Sequence, residues 1–89
     1  MKIDVLVTEI GSTTTTVNAF DAITTPNPVF LGQGVANTTV VEGDVNLGLN
    51  QAIEDLKQNL GVKTLEVKES FASSSAAGGL KMSVHGLVY

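Results

Sequence analysis

The chain has 89 residues, 43% of them hydrophobic but only 4% aromatic, and nine acids against five lysines give a formal charge of −4. That length allows one domain at most, burying about two-thirds of the surface its unfolded chain exposes, with a core built from Val, Leu, Ile and Ala. The absence of arginine removes any electrostatic footprint for a nucleic-acid backbone, and the absence of cysteine removes disulfides, thiol catalysis and thiolate metal sites.

The apolar run after Lys2 is interrupted by Asp4 and ended by Thr8-Glu9, unlike a signal peptide. No apolar stretch approaches the ~20 residues a membrane helix needs. The expectation is a cytoplasmic protein with neither nucleic acid nor membrane as a direct partner.

Ile3 to Ile10 is rich in β-branched and aliphatic residues without strict alternation, the pattern of a strand buried on both faces, and is expected at the sheet centre. Gly11-Ser12 makes a tight turn. Thr13 to Phe20 then forms a second strand, with Thr15, Val17 and Ala19 on one face. The prolines and Asn27 within Asp21 to Pro28 mark a loop. Val29 to Val35 is a third strand, and Gly32 and Gly34 suit it to an edge.

Beyond Thr38-Thr39 the period changes to helical. Asp44 is placed to cap a helix whose apolar positions are Val45, Leu49, Ala52, Ile53, Leu56 and Leu60, and Gly61 is its natural left-handed terminator. Gly48, inside it, costs about 1 kcal/mol against Ala and often marks the close approach of another backbone. Glu66 to Ser74 reads as a fourth strand. Ser73 to Gly79 is a loop of small residues, and Leu80 to Val88 a fifth strand with Leu80, Met82, Val84 and Gly86 on one face.

The order is β-β-β-α-β-loop-β, with a crossover helix that brings the fourth strand beside the first. No second helix follows to cover the opposite sheet face. A bare apolar face and self-association of the chain are therefore expected.

The turn Gly11-Ser12-Thr13-Thr14 has two readings. It is a hairpin turn before a threonine-rich strand, or it is an anion site. In the second, Gly11 lets the backbone approach a polyphosphate while amides and hydroxyls of Ser12, Thr13 and Thr14 bind it. Glu9, at the end of the first strand, would then meet the hydration shell of an accompanying Mg²⁺. The loop from Ser73 to Gly79 should emerge at the same edge, which makes Ser74, Ser75, Gly78 and Gly79 candidates for lining a cleft. Lone His85 is read as a packed or surface residue, Glu54, Asp55 and Lys57 as a solvated helix face, and Asp44 as a cap rather than an acid catalyst.

Strand, acid, Ile-Gly-Ser-Thr-Thr and second strand resemble the first phosphate loop of the superfamily of actin, heat-shock chaperone and sugar kinase ATPases. More closely, the blocks Glu9 to Asp21, Phe30 to Gly34, Val41 to Asn46 and Ser74 to Gly86 resemble the amino-terminal segment of the glutamate mutase-associated MutL (GlmL) proteins. The resemblance covers nearly the whole chain. It implies an α/β fold, a ribonuclease-H-like β-β-β-α-β(-β) mixed sheet forming part of an actin-like ATPase lobe, with residues 1–89 a truncated amino-terminal portion.

It further implies ATP and Mg²⁺ as cofactors of the full-length protein, adenosylcobalamin-dependent mutase subunits as partners, and reactivation of those mutases as the task. The superfamily's usual Asp is Glu9 here, which puts hydrolysis in question. The second phosphate turn and the adenosine loop would come from the missing remainder of the parent chain, so these residues alone should bind ATP weakly or not at all and be inactive. Alternatives are a non-catalytic interaction module that docks on a mutase subunit and, less well supported, a sugar or acyl kinase lobe.

Overall fold

The computed structural model describes residues 1–21, 26–39, 44–74 and 80–89, with 80–85 described by their backbone. Five strands and one helix follow in the order β1 (Lys2–Ile10), β2 (Thr14–Asp21), β3 (Val29–Asn37), α1 (Asn46–Leu60), β4 (Glu66–Ser74) and β5 (Leu80–Val88). They form an α/β fold with a single mixed sheet in the order β3-β2-β1-β4-β5. β1 is central, antiparallel to β2 and parallel to β4, while β3 pairs antiparallel with β2 and β5 antiparallel with β4. The crossover through α1 thus places β4 beside β1, as the sequence led us to expect, and leaves β3 at an edge.

α1 packs on β3 and β2. Its apolar stripe of Ala52, Ile53 and Leu56 meets Leu6, Val17 and Ala19 in the core, which Ile3, Leu65 and Val67 extend toward the start of β1. Burying the Leu6, Leu56 and Leu65 side chains contributes about 1.5–3 kcal/mol each. The helix comes unusually near the sheet because β3 offers it Gly32, Gly34 and Ala36, cross-strand from Ala19, Val17 and Thr15. A Cβ on Gly34 would run into the Ala52 carbonyl and lie 2.6 Å from the Leu56 nitrogen. A Cβ on Gly48 would lie 2.6 Å from the Asn37 carbonyl oxygen, so the interior helical glycine does mark an approach of backbones.

The helix ends as expected, with Gly61 at φ 69° and its N–H bonded to the Gln58 carbonyl. Its start differs. Val45 occupies the N-cap without a side-chain cap bond, and α1 begins at Asn46. Asp44 lies one residue further out, where its Oδ1 accepts from the Asn46 N–H at 2.9 Å. The carboxylate therefore serves a first-turn amide from outside the cap position, and Val45 is not part of the apolar stripe. Glu54 and Lys57 pair at 2.8 Å, but only Glu54 is solvated as expected, for the Lys57 side chain is 12% exposed.

The sequence pattern predicts a β1 buried on both faces, and Leu6 on the α1 side and Val5 on the other are both buried, although α1 covers only the first. The irregular pattern has a further cause. The ladders pass from Ile3–Val67–Leu87 to Val5–Glu69–His85 without pairing the intervening row of Asp4, Lys68 and Gly86, and Gly86 has φ 70°. Across this irregularity the alternation changes phase, so Ile3 and Leu6, three apart, both enter the core. On the face away from α1, Val5 lies opposite Phe20 and Val7 opposite Phe71. The Phe20 and Phe30 rings meet there at 5.5 Å, tilted by 57°, and Phe30 and Phe71 are 56% and 41% exposed.

Tyr89 closes the sheet's lower end, exchanging both backbone hydrogen bonds with Leu65 and packing against the core. Burial raises its phenol pKa above the ordinary 10.0, while a hydrogen bond with Ser70 pulls the other way.

Two measurements check this packing. Gly34→Ala should lower the unfolding free energy by an amount at the upper end of the ~1–3 kcal/mol usual for overpacking, because the added methyl meets backbone. Gly61→Ala, with open space around it, should lose about 1–2 kcal/mol from its left-handed φ alone. Equal urea midpoints for Gly34→Ala and the parent chain would show that α1 is not seated as described. For Tyr89, the folded state favours the neutral phenol, so its contribution is complete below the unfolded value of about 10 and is lost as pH rises beyond it. The alkaline fall in urea midpoint should be shallower in Tyr89→Phe, and an unchanged slope would contradict the assignment.

Candidate functional site

β1 and β4 run parallel and stop side by side, Glu9 opposite Ser73 and Ile10 opposite Ser74. The β1–β2 turn leaves from this same edge. Its geometry is fixed by the Gly11 N–H, which donates to the Thr14 carbonyl at 2.9 Å, and a Cβ on Gly11 would lie 2.9 Å from that oxygen. Glycine is thus required by closure of the turn itself. The Gly11 amide points into the hairpin, and Ser12, Thr13 and Thr14 form its exposed part.

Thr38 steadies the turn from behind, a role the sequence reading missed. Its N–H donates to the Thr13 carbonyl at 2.9 Å, and its hydroxyl is 2.8 Å from that of buried Thr15. The available signal was the alternation through Thr13 to Thr16, which turns Thr15 inward and leaves it in need of a polar partner. The start of α1 reaches the same corner, because Gly48 packs on Asn37, Thr38 and Thr39. Turn, end of β3 and helix start are therefore one connected piece.

Glu9 is exposed at the strand end, its cross-strand neighbours being Thr16 and Ser73. Ser74 reaches the same edge but is only 4% exposed and has a partner of its own. Ser75, Gly78 and Gly79, the rest of the candidate cleft loop, lie outside the described residues, as do Glu42 and Gly43. Backbone pairing puts His85 beside Glu69, away from this edge. Among the described residues, no group of three or more His, Asp or Glu comes together to hold a metal. The exposed hydroxyls suit a polyphosphate approached from one side, and a single carboxylate suits the water shell of a hard cation rather than a closed cage.

A mixed α/β sheet with a hydroxyl-rich turn beside an acid at the carboxyl end of its central strand is the class the geometry defines. The family described as MutL protein matches residues 5–89. A curated relative, Protein MutL of Clostridium tetanomorphum, is 37% identical over 87 residues, which cover 93% of this chain and 17% of the relative. The chain belongs to the MutL family. It spans about a sixth of the length of that relative. No solved structure matches it. Among the described residues, no helix is long and apolar enough to cross a membrane.

Proposed function

We propose that this chain is the nucleotide phosphate-binding lobe of a chaperone-like reactivating factor for an adenosylcobalamin-dependent glutamate mutase or a related mutase, acting in the cytoplasm. The observation that carries the reading is the shared edge. Parallel β1 and β4 end together, and the crevice outside the carboxyl ends of parallel strands is where open α/β sheets bind ligands. Membership of the MutL family supports the mutase link that the resemblance implies, and the strand order β3-β2-β1-β4 with one crossover helix is what a ribonuclease-H-like, partial actin-like ATPase lobe would have. β5, antiparallel to β4, is an addition to that plan.

In this reading Ser12, Thr13 and Thr14 bind the phosphates of ATP, Gly11 holds the turn that presents them, and Glu9 orients water on Mg²⁺. Ser74, Ser75, Gly78 and Gly79 belong to the loop across the cleft. The remainder of a longer parent chain supplies the opposing lobe, so the present residues form half a site. Mg-ATP should accordingly bind with a Kd around millimolar or weaker, an affinity of about 4 kcal/mol at most. Amide shifts of isotope-labelled protein titrated with Mg-ATP test this. They should move at Ser12, Thr13 and Thr14 and diminish in Ser12→Ala/Thr13→Ala. Micromolar affinity would overturn the half-site, and unmoved turn amides at tens of millimolar ligand would remove the phosphate assignment. Gly11→Val is a poor probe here, because its side chain would disrupt the turn before any ligand arrived.

A second reading has its own support. The sheet face away from α1 presents Phe30 and Phe71, which favours a non-catalytic module that docks on a mutase subunit. In either case the isolated chain should self-associate through this face. Sedimentation should show a shift toward monomer in Phe30→Ser/Phe71→Ser, and a parent chain that is monomeric at all concentrations would contradict the prediction.

A further inference from the structure

We infer that α1 locks the β3 edge against strand addition by imitating one residue of an added strand. An edge strand presents unpaired N–H and C=O groups that invite another chain to pair, and proteins usually blunt such edges with charge, proline or cover. β3, Val29–Asn37, contains no charged residue and no proline. Its Val29, Phe30 and Val35 are among the exposed large apolar side chains, so an open β3 would be an adhesive edge. Deterrence must come from elsewhere.

It comes from two side chains one helical turn apart. The Val35 N–H donates to Asp55 Oδ2 at 2.9 Å, and Asn59 Nδ2 donates to the Gln33 carbonyl at 2.7 Å. These two backbone groups flank Gly34. In a parallel ladder, a single residue of an incoming strand would donate its N–H to the first carbonyl and accept from the second N–H. Asn59 supplies that donor and Asp55 that acceptor, in the same places and with the same polarity. Their i, i+4 spacing puts both on one helix face, and the seat of α1 on Gly34 brings that face within reach. The inference is independent of any nucleotide site.

The experiment compares Asp55→Ala/Asn59→Ala with Asp55→Asn, both in a Phe71→Ser background that suppresses association through the sheet face. In dilute solution the Val35 amide of the double variant should exchange with solvent about tenfold faster, the worth of one hydrogen bond. As concentration rises, this variant should associate more than the background chain, whose Phe30 stays exposed, with Val35 becoming protected again. Asp55→Asn retains a carbonyl acceptor and should behave as the background. Unchanged Val35 exchange and association in a folded double variant would overturn the inference, as would an Asp55→Asn variant that associates like the double one. Should the double variant fail to fold, Asn59→Ala alone removes an exposed side chain and frees the Gln33 carbonyl. It should associate more than the background, and its failure to do so would overturn the lock.

Discussion

The close seat of α1 on Gly34 is the contact on which the rest of this small structure depends. A helix resting on a strand through ordinary side chains would stand further away, and interaxial packing distances grow with the side chains at the contact. Here the Ala52 carbonyl and the Leu56 nitrogen occupy the space a Cβ would need. That proximity fixes where everything else on the helix reaches. Asp55 and Asn59 touch the edge of β3 because of it, and Gly48, about one helical turn before Ala52, meets the end of the same strand. From there Thr38 carries the placement to Thr13 and Thr15 in the turn. The candidate site is thus positioned by a steric fit at the opposite side of β2.

The same fit explains how the residues are sorted between the two sheet faces. Space between α1 and the small row of Gly32, Gly34 and Ala36 admits aliphatic side chains, and the core is made of Leu, Ile, Val and Ala. All three phenylalanines lie instead on the face away from α1, Phe20 against Phe30 and Phe71 opposite Val7. Aromatic side chains carry the largest apolar area of any residue, so this distribution concentrates the unsatisfied hydrophobic surface on one side. Stability and stickiness are consequently separated: the helical side holds the domain together, and the other side holds the surface available to a partner.

Much of this was legible in the sequence, for identifiable reasons. Strand existence, the central place of β1, the parallel placement of β4 and the glycine terminator at Gly61 follow from local period and turn chemistry. Gly48 announced a close approach because a glycine inside a helix has few other uses. The phase change at Asp4, Lys68 and Gly86 was not legible, since it appears only when three strands are aligned. Residue type alone places Asp44 at the cap, but the one-residue offset depends on how the chain enters the helix. Asp55 read as part of a solvated face. Its carboxylate is in fact held by a backbone N–H twenty residues earlier, a distinction that charge patterning does not contain.

The turn shows how one residue type can answer two different demands. In the sequence, glycine at position 11 reads as room for a polyphosphate, yet the hairpin requires it in any case, because the Gly11 N–H and the Thr14 carbonyl must meet. What remains to distinguish an anion site from an ordinary turn is the exposed run of Ser12, Thr13 and Thr14, together with Glu9 beside it. Ser and Thr suit an ordinary hairpin through turn and strand propensity, and the same exposed hydroxyls at the carboxyl end of the central strand are donors a phosphate could use. The weight of the phosphate reading therefore moves from the glycine to the hydroxyls, and any experiment on this site gains its meaning from changing them while leaving the turn closed.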